Sequence, residues 1–226
     1  MTLIVHIPAK NGLVMASDGQ ATTEMGIKIM YKKIHKLNDS CIWGMTGDTI
    51  LQERVEECIA TLTDKEKPIQ DLCPTLRDIV TKCVEDLSVG IQTPSSSEEK
   101  KPQPPYLGLF AFIEYRDYPR TLYIFADGTV RWQSTVPFAI GSGAPFALAL
   151  LRKYQSIGKL DLQLAGVLAY KIIAETIEVI EGVGPPIDVW QLPPVKNLTK
   201  EELTGLEETY LGLKNAEIEM FLGSSE

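Results

Sequence analysis

Thr2-Leu3-Ile4-Val5-His6-Ile7-Pro8-Ala9-Lys10-Asn11-Gly12-Leu13-Val14-Met15-Ala16-Ser17-Asp18 reads as two strands and a turn. Leu3–Ile7 and Leu13–Ala16 are rich in β-branched and aliphatic residues. Lys10-Asn11-Gly12 between them supplies turn chemistry. The chain thus starts on a hairpin. Two further short strands, Ile34–Leu37 and Cys41–Met45, flank the turn Asn38-Asp39-Ser40.

Beyond Asp48 the apolar residues take up the period of a helix. Ile50, Leu51, Val55, Cys58, Ile59 and Leu62 form one stripe, and Leu76, Ile79, Val80, Cys83, Val84 and Leu87 form a second. Pro74 suits the first turn of the second helix. Strands resume at Leu107–Glu114, Thr121–Phe125 and Thr129–Gln133, with Asp127-Gly128 as a tight turn. Phe138–Ile140 leads through Gly141-Ser142-Gly143 into helices at Pro145–Tyr154 and Leu162–Val179. Ile187–Leu192 is a last strand, and Thr199-Lys200-Glu201-Glu202 is a capping box opening a C-terminal helix over 199–222.

Strands and helices therefore come in blocks. That order predicts an α+β fold, a four-layer αββα sandwich of two antiparallel sheets covered by helix pairs. It argues against a doubly wound parallel sheet. The 226 residues are 44% hydrophobic and 23% charged, the composition of one ordinary globular domain over 1–226. Residues 93–105, polar and Pro-rich, read as a mobile loop within that domain.

The net charge of −8 speaks against a nucleic-acid partner. No P-loop or dinucleotide fingerprint occurs, so no cofactor is implied. Cys41, Cys58, Cys73 and Cys83 form no C-x-x-C pair, and His6 and His35 are the only histidines, which gives no metal site. Cys58 and Cys83 read as reduced core thiols. Without a signal peptide or an apolar run long enough to span a bilayer, the expected compartment is the cytoplasm, with no membrane partner.

Six stretches, in one order from Thr2 to about Leu192, resemble a known family. Thr2–Val5 with Lys10–Asp18 resembles the opening of proteasome β subunits. Asp18-Gly19-Gln20-Ala21-Thr22 is similar to the peptidase subunit of the bacterial two-component ATP-dependent protease. Lys32-Lys33-Ile34 resembles the family's lysine strand, and Trp43-Gly44-Met45-Thr46-Gly47-Asp48 its glycine turn. Ala139–Phe146 resembles the turn before the third helix. Gly184 with Ile187-Asp188-Val189 resembles the approach to the last core strand.

The resemblance implies an N-terminal-nucleophile hydrolase, a threonine peptidase that cleaves peptide bonds through an acyl-enzyme on Thr2. Removal of Met1 exposes its amine as the base. By the same resemblance Lys33 lies beside the hydroxyl, Asp18 pairs with Lys33, Gly44 donates its N–H to the oxyanion, and Ser142 assists proton transfer. Ala21, Tyr31, His35, Ile42 and Thr46 match positions lining the substrate pocket, and Thr22 and Thr46 match positions that hold substrate backbone. The family further implies peptide or unfolded-protein substrates, a homo-oligomeric ring and an ATPase partner.

One departure stands out. Where proteasome β subunits carry an aspartate and a serine, this chain has Val179-Ile180-Glu181-Gly182-Val183-Gly184. A non-catalytic structural subunit and a transpeptidase or amidase on the same scaffold are the competing readings.

Overall fold

The computed structural model describes residues 2–22, 25–88, 108–133, 137–154 and 160–222. The loop expected over 93–105 lies outside the described residues.

The opening hairpin forms as the sequence predicts. Strand β1 (Leu3–Ala9) pairs antiparallel with β2 (Gly12–Asp18), closing at Ala9 opposite Gly12. A short ribbon follows, β3 (Gln20–Thr22) with β4 (Lys28–Met30). The periodicity left this ribbon unseen, because three-residue strands are too short to establish a period. Strands β5 (Ile34–Asn38) and β6 (Cys41–Gly47) come next, then helices α1 (Thr49–Ala60) and α2 (Ile69–Ser88).

The second half runs β7 (Gly108–Tyr115), β8 (Pro119–Phe125), β9 (Val130–Gln133), β10 (Phe138–Gly141), α3 (Ala144–Arg152) and α4 (Leu162–Val179). It closes with β11 (Ile187–Leu192), β12 (Lys196–Asn197) and α5 (Lys200–Leu222). One five-stranded sheet has the order β10-β1-β2-β11-β12 and the other β5-β6-β7-β8-β9. Every pairing in both is antiparallel.

Strand alternation sorts the side chains into layers. Cys41, Trp43 and Met45 of β6 pack with Leu51, Val55, Leu76 and Val80 of the α1–α2 pair. Ile42 of the same strand faces the other sheet, against Ile4, Leu13 and Met15. On the far side, Val5, Val14 and Ala16 meet Ala147, Ala169 and Ile172 of α3 and α4. The result is the expected four-layer sandwich, with α5 laid on α4 through Leu206 and Tyr210.

Pro74 does not open α2. The helix begins at Ile69, and Pro74 lies inside it. Ile69 and Leu72 are buried, so their packing extends the helix toward its N-terminus. The Glu114 carboxylate caps that end by accepting from Ile69 N at 3.2 Å. This support comes from β7 and is invisible in the local sequence. The capping box at α5 forms as read: Glu202 N donates to Thr199 Oγ1 at 3.3 Å, and Thr199 N donates to Glu202 Oε2 at 2.9 Å. Among the described residues, no helix is long and apolar enough to cross a membrane.

Candidate active site

Thr2 sits at the head of β1, where that strand leaves β10. Leu3 is opposite Gly141, and the Gly143 N–H donates to Thr2 O at 3.4 Å. Thr2 N donates to Ser142 Oγ at 3.1 Å, and the same hydroxyl donates back to Thr2 O at 3.4 Å. Gly141 has φ +105, and a Cβ there would lie 2.1 Å from Thr2 O. Both its conformation and its closeness to Thr2 demand glycine.

Asp18 ends β2 directly behind Thr2. Its Oδ1 accepts from Leu3 N at 2.8 Å and from Lys33 Nζ at 2.6 Å. Its Oδ2 accepts from Gln20 N at 3.3 Å and Gly184 N at 3.1 Å. Three backbone donors and one ammonium therefore hold a carboxylate that is fully buried. Lys33 is 2% exposed and also donates to Gln20 O at 2.6 Å. Burial lowers the Lys33 pKa, and the neighbouring Asp18 charge works against that shift. Lys32 and Lys36 stay exposed on either side.

A cavity of 310 Å³ opens beside this pair. It is lined by Thr2, Ala21, Thr22, Tyr31, Lys33, Gly47, Asp48, Thr49, Ile50 and Gln52. A second cavity, of 400 Å³, is lined by Thr2, Thr46, Gly47, Gly108, Leu109, Gly141 and Ser142. Thr2 and Gly47 border both, so a group bound at Thr2 has room on two sides.

The structure thus brings together Thr2, Asp18, Lys33 and Ser142, with Ala21, Thr22, Tyr31 and Thr46 on the cavity walls. The Tyr31 hydroxyl donates to Thr49 O at 3.3 Å, tying the wall to the start of α1. Burial first, then Glu53, Glu56 and Asp48, raise its pKa and keep it a neutral phenol.

Three expected residues lie elsewhere. Gly44 lies mid-strand in β6, opposite Ile34 and Ala111, and lines neither cavity. A Cβ there would come within 2.8 Å of Lys33 O and 3.0 Å of both Ile4 Cδ1 and Met15 Cε. Its smallness lets the two sheets close. Ile42, two residues earlier on the same face, is fully buried between the sheets. His35 is turned by strand alternation toward α1. It stacks on Trp43 at 4.7 Å, with Nδ1 2.7 Å from Glu56 Oε1 and Nε2 3.0 Å from Gln52 Nε2.

An amide nitrogen only donates. His35 Nε2 therefore accepts from Gln52, and Nδ1 carries the proton given to Glu56. That neutral tautomer agrees with a pKa lowered chiefly by burial, which Glu56 opposes.

Sequence reasoning missed Gly47 and Gln52. Gly47, with φ +127, ends β6 at the mouth of both cavities. Its signal was its position, directly before the Asp48 N-cap of α1. Gln52 is 3% exposed and donates to Lys32 O at 3.0 Å. Nothing in the local pattern distinguished it from a surface helix residue.

Where the aspartate and serine are missing, no polar replacement enters. Val183 is buried against the turn at Gly143, while Glu181 is exposed at the surface. Backbone does some of the holding. Besides its bond to Asp18, Gly184 accepts from Gly19 N at 3.0 Å, and a Cβ on it would meet Gln20 Oε1 at 2.3 Å.

Two antiparallel sheets between helix pairs, with the chain's first threonine at the mouth of the sandwich, define the N-terminal-nucleophile hydrolase class. The chain belongs to the proteasome subunit family, whose pattern matches residues 2–190. Among solved structures it is similar to Anbu (ancestral beta-subunit) from Yersinia bercovieri. That match has 13% identity and TM-score 0.78 over 99% of this chain and 98% of the other. It is also similar to an Anbu (Gly-1) mutant from Hyphomicrobium sp. strain MC1, with 16% identity and TM-score 0.70 over 100% and 99%. At these identities the likeness is one of fold. No curated protein sequence matches the chain.

Proposed function

We propose that this chain is an N-terminal threonine hydrolase that opens amide bonds of peptide-like substrates through an acyl-enzyme on Thr2. The observation that carries this reading is the buried Asp18–Lys33 pair behind Thr2, on a cavity that Thr2 and Lys33 both line. A scaffold has no use for a buried ion pair there, since desolvating two charges is costly.

In this reading Met1 is removed and the freed amine of Thr2 takes the hydroxyl proton. The Lys33 ammonium lowers the cost of the alkoxide, and Asp18 fixes the lysine. The Gly47 N–H, at the mouth of both cavities, takes the oxyanion role first given to Gly44. Ser142, already bonded to Thr2 N, steadies the amine. Ala21 and Thr22 on the edge of the ribbon, with Thr46 opposite, offer an extended substrate its backbone partners.

Exposed Leu211, Leu213, Ile218, Met220, Phe221 and Leu222 on α5 give an apolar surface suited to self-assembly. Homo-oligomerisation is therefore part of the proposal, and an ATPase partner is its extension.

A second reading is supported by Val183 and exposed Glu181 in place of the family's polar pair. With that shell apolar, the chain is a transpeptidase or amidase, or a structural subunit without turnover. The deciding experiment is labelling with a peptide boronate or epoxyketone, read by mass spectrometry. Adduct at Thr2, absent in Thr2→Ala, supports acyl transfer. A folded, assembled protein with neither adduct nor turnover establishes the structural subunit.

A further inference from the structure

Cys58 on α1 and Cys83 on α2 place their Sγ atoms 3.7 Å apart. All four cysteines are free thiols, and neither of these two touches the candidate site. Cys58 is partly exposed, and Cys83 is buried.

We infer that Cys58 and Cys83 form a reversible disulfide that staples α1 to α2 when the protein meets a peroxide. Cys58, the accessible thiol, reacts first. Its thiolate sulfur attacks one oxygen of hydrogen peroxide, the O–O bond breaks, and hydroxide leaves to become water. The product is the sulfenic acid of Cys58. The sulfur of Cys83 then attacks Cys58 Sγ, the S–O bond breaks, and the departing hydroxide takes the Cys83 proton as water. Two thiols and one peroxide give one disulfide and two waters. The sulfurs lose two electrons and the peroxide gains them. A dithiol reductant reverses the step by exchange.

A disulfide bond is about 2.05 Å long, so the sulfurs must approach by about 1.7 Å. Side-chain rotation and a small slide of the helices supply that movement. Burial, ahead of the neighbouring Cys58 and Asp86, pushes the Cys83 thiol up to about 12.

Its position gives it reach. The first turns of α1 supply Thr49, Ile50 and Gln52 to the cavity, and Thr49 O holds the Tyr31 hydroxyl. Fixing the far end of α1 on α2 restrains the helix that walls the cavity. The inference is independent of the proposed function and is testable equally in Thr2→Ala.

The test treats the full chain with hydrogen peroxide, caps free thiols and maps peptides without reduction. The expected result is one Cys58–Cys83 linked peptide and loss of two of the four titratable thiols. Dithiothreitol should restore both. Oxidised protein should melt about 5 °C above reduced protein, because closing a long loop restricts the unfolded chain. Cys58→Ser and Cys83→Ala should each abolish the link and the rise. No link, a link through Cys41 or Cys73, or a fall in Tm on oxidation overturns the proposal.

Discussion

Lys33 Nζ lies 2.6 Å from Asp18 Oδ1, and the two side chains are 2% and 0% exposed. Removing one partner leaves the other charge buried alone, which costs about 3–5 kcal/mol. Lys33→Ala and Asp18→Asn should therefore lower both Tm and reaction with a Thr2-directed electrophile. The double variant Lys33→Met/Asp18→Asn should regain much of the lost Tm and none of the reactivity. Thermal melts beside labelling rates separate the two. Reactivity restored in the double variant would remove the pair from the mechanism.

The lowered Lys33 pKa sets a pH dependence. As pH rises, this lysine loses its charge before a free lysine does. Labelling of Thr2 should thus decline on an alkaline limb below pH 10.5, the ordinary lysine value. For stability the sign is opposite. Between the lowered folded value and the unfolded one, the unfolded chain binds more protons, so this residue favours folding increasingly as pH rises. A labelling rate flat through that window would contradict the role given to Lys33.

The two glycines of β6 should separate structure from chemistry. Gly44→Ala puts a methyl against Lys33 O, Ile4 and Met15, and should cost about 1–3 kcal/mol of stability. Gly47→Ala disturbs a residue at φ +127 at the mouth of both cavities. Per folded molecule, it should lose far more labelling than Gly44→Ala. Denaturant melts with active-site titration check this, and equal losses per folded molecule would return the oxyanion role to Gly44.

Ser142→Ala removes the hydrogen bond to Thr2 N and should slow acylation about 10–100-fold while Tm stays within about 2 °C. Thr2→Ser keeps a hydroxyl and an amine and should retain partial activity, whereas Thr2→Ala should retain none. Stopped-time labelling of the three variants reads this directly.

Two bulk measurements bear on maturation and assembly. Intact mass should show a chain beginning at Thr2. Sedimentation at micromolar concentration should show a species larger than the 25.1 kDa protomer. Retained Met1 would block the amine base and favour the structural reading.

Most of the fold was legible because its signals are local. Runs of β-branched and aliphatic residues in Leu3–Ile7 and Leu13–Ala16, period 3.6 in the two central stripes, and the capping box at Thr199 each fix an element from its own neighbours. The β3–β4 ribbon and the true start of α2 were not legible. The first is too short to show a period, and the second depends on Glu114 reaching across from β7.

For the site, the sequence by itself determined the residue types available: an early threonine, one aspartate at the end of a strand, and a lysine directly before the strand Ile34–Asn38. Only the tertiary structure decided which glycine meets the cavity, because Gly44 and Gly47 lie three residues apart on one strand. Sheet packing buries the first and leaves the second at the mouth. Only packing, likewise, turned His35 toward Glu56 and Gln52, left Glu181 outside, and drew Cys58 and Cys83 together from 25 residues apart. Such contacts join residues distant in sequence, and no local period or propensity encodes a distance across two layers of side chains.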